Sequence, residues 1–164
     1  MIACRITDLK SFTHALFMES LFDSFYVSEA SFSTALSIQM DGALNQEFYG
    51  EELPDWASEG YLPWERLRPL AFQIIKGKRP PLSFRIIFRF PSEKLPALLE
   101  SAGGLFAPEE VDALFLNLTY RNGQMTATTG TSMKSFTLDK SLDTAWDRYV
   151  RWFLDEHGIE NEEV

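Results

Sequence analysis

Cysteine is nearly absent from this sequence: Cys4 is the only one, so no internal disulfide forms, and no CxxC or Cys/His spacing is present to hold zinc. Histidine is almost as scarce, with His14 and His157 alone. No apolar run approaches the ~20 residues that a membrane helix needs, and no basic stretch followed by an apolar run opens the chain. A reducing, cytoplasmic setting and no membrane partner are therefore expected. Positive charge is also in short supply. There are 24 Asp and Glu against 15 Lys and Arg, a formal net charge of −9, which disfavours indiscriminate binding to nucleic acid.

What the sequence has is apolar mass. Hydrophobic residues make up 45% of its 164 residues, with 14 phenylalanines, four tryptophans and five tyrosines. A chain of this length buries about two thirds of its unfolded surface as one domain. Met1 to Thr7 reads as a strand. Asp8 then caps a helix with Leu9, Phe12, Ala15 and Leu16 on one side. Residues Ala30 to Met40 alternate as one half-buried strand. Phe25 and Val27 have the opposite parity, so a bulge or turn near Ser28 to Ala30 must reset the register. Asp41-Gly42 predicts a hairpin followed by a strand to about Tyr49.

Residues 50–62 form an acidic connection with aromatics. Pro63 and Pro69 predict a short turn at 63–68 and then a helix from Pro69 to Lys76 capped by Gly77, because proline inside a helix costs ~3 kcal/mol. Leu82 to Phe90 alternates with Leu82, Phe84, Ile86, Phe88 and Phe90 inward. Ser92 is read as the cap of a helix through about Ser101. Asn122-Gly123 predicts a hairpin that pairs Tyr120 with Met125 and Leu118 with Ala127. A last amphipathic helix carries Leu142, Ala145, Trp146, Tyr149, Val150 and Phe153, and residues 159–164 read as a loose acidic tail.

The order of elements repeats. Strand, helix and hairpin strands occur in residues 1–80 and again in 82–158, which predicts an α+β domain of two similar halves with helices packed on one side of antiparallel sheet. The segments WERLRPLAFQIIKGKRPPLSF and FYVSEASFST resemble a family of uncharacterised bacterial proteins, a likeness that spans most of the chain and implies no chemistry. The doubled order is also similar to one domain of a DNA sliding clamp, a likeness of architecture alone.

The functional signal is a concentration of charge. Between Trp64 and Phe90 lie Arg66, Arg68, Lys76, Lys78, Arg79, Arg85 and Arg89 against Glu65 alone, a balance of +6 that leaves −15 on the other 137 residues. Period two puts Arg85 and Arg89 on one strand face about 13 Å apart. Such a group suits phosphate, nucleic acid or an acidic protein surface, and equally suits ion pairing within the fold or a helix C-terminus. KGKRPP lacks the glycines and the Ser or Thr of a phosphate-binding loop.

Trp56, Tyr61 and Trp64 mark the acidic connection as a second place for a partner. Cys4, the two histidines, the pairs Glu51-Glu52 and Glu109-Glu110, and the run Thr126 to Ser132 all have simpler structural readings. The expectation is a noncatalytic binding or assembly protein, self-association included, that shows its basic segment to nucleic acid or an acidic partner without a cofactor. A small enzyme holding an acidic or phosphorylated metabolite, and a scaffold acting through the 48–64 loop, are the alternatives.

Overall fold

The computed structural model describes residues Met1–Val164. β1 (Ala3–Ile6) leads into α1 (Leu9–Met18), where the Asp8 carboxylate accepts from the Ser11 N–H at 3.1 Å and so satisfies one unpaired donor of the first turn. β2 (Tyr26–Ser33) and β3 (Ser37–Asp41) follow, then a short α2 (Gln46–Tyr49), β4 (Leu62–Pro63) and α3 (Trp64–Ile75). The second half runs β5 (Ser83–Arg89), α4 (Leu95–Ser101), β6 (Val111–Arg121), β7 (Gln124–Met133), α5 (Ser141–Glu156) and β8 (Asn161–Glu163).

All strand pairs are antiparallel and form one open sheet in the order β3-β2-β5-β6-β7-β1-β8, with β4 beside the start of β2. The fold is thus α+β. Inward residues of the strands join α1, α3, α4 and α5 in a single core of 34 buried residues. Its centre is aromatic. Phe22 stacks on Phe88 at 5.5 Å, and Trp64 meets Phe88 edge-on at 5.3 Å. The other face of the sheet is open and carries Arg5, Arg85, Thr119, Thr126 and Asn117.

Two expectations are met residue for residue. A bulge interrupts β2 between Val27 and Glu29, which lets Val27 and Ala30 both point into the core. Asn122 and Gly123 take φ of 52° and 73°, as a tight two-residue hairpin turn requires, and Tyr120 pairs with Met125 and Leu118 with Ala127.

Others are corrected. Residues 30–40 are two strands joined by Thr34, Ala35 and Leu36, not one; a three-residue loop pairs Phe32 with Ile38 and Ala30 with Met40, so these residues share one side of the sheet while Leu36 in the turn is 61% exposed. Gly42 is not in a positive-φ turn. It is buried against β2, where a Cβ would lie 1.8 Å from the Val27 carbonyl oxygen, and the chain continues into α2 in place of a strand. α3 is one helix that runs through Pro69. Trp64, Leu67 and Ala71 bury one side of it, while Pro69 faces solvent, where the unpaired carbonyl before it can be hydrated. Gly77 has φ 148°, so α3 ends at Ile75 without a left-handed cap. Leu82 is 71% exposed, outside β5.

Ser92 does not cap a helix; its hydroxyl donates to Glu59. The acidic tail is structured, because Asn161–Glu163 pairs with β1 and sets Arg5 against Glu162 and Arg151 against Glu163. The halves also differ in pairing: β5 lies beside β6, whereas β1 lies beside β7 and β8.

Candidate functional site

The seven cations of the 66–89 segment separate into two groups. Arg68 on α3 is held by Asp23 through two hydrogen bonds of 2.8 and 2.9 Å, a fork-to-fork pair that raises the pull of the guanidinium on its proton. Arg66 lies 3.9 Å from the centre of the Trp56 ring. Arg89 lies 4.1 Å from Tyr61, 5.4 Å from Phe115 and within hydrogen-bond reach of the Asp112 carbonyl. These three are occupied inside the fold. Lys76, Lys78, Arg79 and Arg85 are exposed and take part in none of the molecule's ion pairs.

Three of those four sit at one end of the sheet. The 76–82 connection brings the chain from α3 to β5, and the Leu82 N–H donates to Ser33 O at the tip of the β2–β3 hairpin. There, a groove of about 400 Å³ opens between α1, the end of α3 and the inward face of β5 and β6. Leu9, Ile75, Pro80, Pro81, Phe84 and Tyr120 line it, with Lys10 at its edge. Phe84 and Tyr120 are stacked on each other at 5.2 Å at its base. Lys10 lines the groove, Lys76 follows Ile75 and Arg79 precedes Pro80, so α1, the end of α3 and the 76–82 connection each bring a cation to the lining or next to it in the chain, whereas Arg121, two residues beyond Thr119 and opposite Ser83, lies on the open face. Neither Lys10 nor Arg121 is in an ion pair. Arg85 belongs to a different surface. It stands in a cross-strand row with Thr119, Thr126 and Arg5 on the open face, and Arg5 is paired with Glu162.

The aromatic connection lies at the opposite end. Ala43 bridges to Tyr61, and Arg89, at the far end of β5, stacks on that tyrosine. Trp56 is half-buried between Arg66 and Tyr49. Trp64 offers nothing to a partner: it is fully buried, and its Nε1–H donates to Leu16 O at 2.9 Å. The exposed ring here is Phe48, at 82%. The turn into α2 decides that exposure, and no local pattern in the sequence marks it.

Cys4 is buried, and burial pushes its thiol up, with Glu163 adding to the effect. Burial likewise raises Tyr26, reinforced by Glu59 and Glu93. His14 and His157 come together around one cavity of about 460 Å³ that also includes Asp8, Lys10 and Glu19, a juxtaposition no local pattern announces. His14 Nδ1 is 3.0 Å from Glu19 and His157 Nδ1 is 2.8 Å from Phe153 O. No group of three or more His, Cys, Asp or Glu side chains is placed to hold a metal ion.

A family described as of unknown function, DUF5721, matches residues 15–162. The chain belongs to that family. The matched span takes in the two segments that carry the resemblance seen in the sequence, and it covers the groove residues from Ile75 to Tyr120 but not Leu9, Lys10 and Thr13 of α1. No curated protein and no solved structure matches the chain.

Proposed function

We propose that the protein is a noncatalytic binding protein that takes an acidic segment of a partner protein, anchored by apolar side chains, into the groove between α1, α3 and β5–β6. One juxtaposition carries the reading: an apolar lining that includes Lys10 is flanked in the chain by Lys76 and Arg79, and no carboxylate pairs with any of the three. Apolar contact supplies the area-dependent part of affinity, and the cations select sign and speed encounter. A protein segment is favoured over nucleic acid on two grounds. The chain as a whole is at −9, which opposes a long phosphate backbone with one charge per nucleotide more than a short segment with a few carboxylates. The rings beside the free cations, Phe84 and Tyr120, are stacked on each other and leave no platform for a base.

The test is fluorescence anisotropy with a short labelled peptide of glutamate, leucine and phenylalanine, alongside single- and double-stranded DNA. The peptide is expected to bind, and Lys78→Glu/Arg79→Glu to weaken it by about tenfold or more, equivalent to ~1.4 kcal/mol. Arg85→Ala, on the open face, leaves peptide binding unchanged. DNA bound more tightly than the peptide, with a steep salt dependence and loss in Arg85→Ala, would move the site to the open face and sink the reading.

A further inference from the structure

The molecule carries its own candidate for an occupant of the groove, at the wrong end to reach it. Residues 45–59 contain Glu47, Glu51, Glu52, Asp55 and Glu59 with no Lys or Arg, and they expose Phe48 at 82% and Leu53 at 41%. None of these carboxylates forms an ion pair. The segment therefore has the two properties the groove asks for, an acidic surround and projecting apolar side chains. It is rooted at the far end of the sheet by the Ala43–Tyr61 bridge, the Arg89–Tyr61 stack and the Arg66–Trp56 stack.

Two elements measure the separation. β5 runs from Ser83, at the groove, to Arg89, at the acidic end, six residue steps or about 20 Å. α3 runs the other way, from Trp64 to Ile75, about 17 Å. A rigid sheet and a buried helix hold the two ends apart, so the acidic loop cannot fold back onto its own groove. It is free to meet the groove of another molecule.

We infer that the chain associates with a second copy of itself head to tail, with the acidic 46–55 segment of one copy, led by Phe48, seated in the Leu9–Ile75–Phe84–Tyr120 groove of the next. This rests on the proposed reading of the groove as a site for acidic, apolar-anchored protein and names its occupant. The contact uses two different surfaces, so each added copy leaves one of each open, and the assembly grows as a chain or closes as a ring. Charge complementarity makes it sensitive to salt.

Sedimentation velocity over a range of protein concentrations tests the inference. Wild type is expected to gain mass with concentration at low salt and to lose it as salt is raised. Phe48→Ala, at a side chain the fold does not bury, and Lys78→Glu/Arg79→Glu are each expected to weaken association about tenfold or more. Glu51→Lys/Glu52→Lys is expected to do the same. Mixing the Lys78→Glu/Arg79→Glu chain with the Glu51→Lys/Glu52→Lys chain restores association between the two, because each reversed surface then finds an opposite one. Wild type that stays monomeric, or association indifferent to all three variants, overturns the inference. If wild type is monomeric yet binds the glutamate–leucine–phenylalanine peptide in the groove, self-pairing alone fails; if neither is seen, the reading of the groove fails with it.

Discussion

Replacing Trp64 with alanine is expected to remove about 3–5 kcal/mol of folding stability. Trp64 is fully buried at the first turn of α3 and touches two layers at once. Its ring meets Phe17 on α1 at 6.0 Å and Phe88 on β5 at 5.3 Å, and its Nε1–H closes the Leu16 carbonyl at 2.9 Å. Alanine leaves a cavity in the wedge between two helices and the sheet, with an orphaned carbonyl on its wall. Trp64→Phe separates the two effects, since it keeps most of the ring and loses the donor, at a cost of about 1–3 kcal/mol. Urea denaturation followed by circular dichroism measures both. A loss below about 1 kcal/mol for the alanine variant would show that α3 is not anchored as described.

Gly42→Ala comes second, at about 3 kcal/mol or more, because the new methyl meets backbone and not a side chain that could turn away. Its Cβ would lie 1.8 Å from the Val27 carbonyl oxygen and 2.6 Å from the carbonyl carbon. Gly42 also donates to Ser28 O and accepts from Leu62 N–H at 2.9 Å each, so β2, β4 and the root of the acidic loop shift together. Gly130→Ala is the control. Its Cβ finds only the Phe115 Cβ, at 3.8 Å, and its φ is not positive, so the change should stay within about 1 kcal/mol. Equal stabilities for the two variants would contradict the close approach of β2 and residue 42.

These sites also show where sequence reading succeeds and where it stops. The Asn122-Gly123 hairpin was legible because turn chemistry and alternation agree on one register. The bulge at Ser28 was legible because a change of parity has no other cheap explanation. The hairpin at Thr34–Leu36 was not: an odd-length loop preserves parity and carries no glycine, proline or asparagine, so two strands read as one. Pro69 misled for a different reason. Its local cost is real, but burial of Trp64, Leu67 and Ala71 and the Arg68–Asp23 pair outweigh it. β8 was hidden by composition, since an acidic stretch pairs well once Arg5 and Arg151 face it.

For the site, the sequence marks seven cations, and the fold leaves four of them without an internal partner. Which of seven cations is free depends on Asp23, Trp56, Tyr61 and Phe115, partners that only the fold brings near. The groove is built from α1, α3, a loop and two strands, and no stretch of chain holds its pattern. The same is true of the polarity that sets an acidic aromatic end about 20 Å from a basic apolar one.

The most direct measurement is a ¹H–¹⁵N correlation titration of the isotope-labelled chain with the glutamate–leucine–phenylalanine peptide. The account predicts that shifts change first at Leu9, Lys10, Thr13, Ile75, Phe84 and Tyr120, around the groove. Changes centred on Arg5, Thr119 and Thr126 of the open sheet face, or no changes at all, would contradict it.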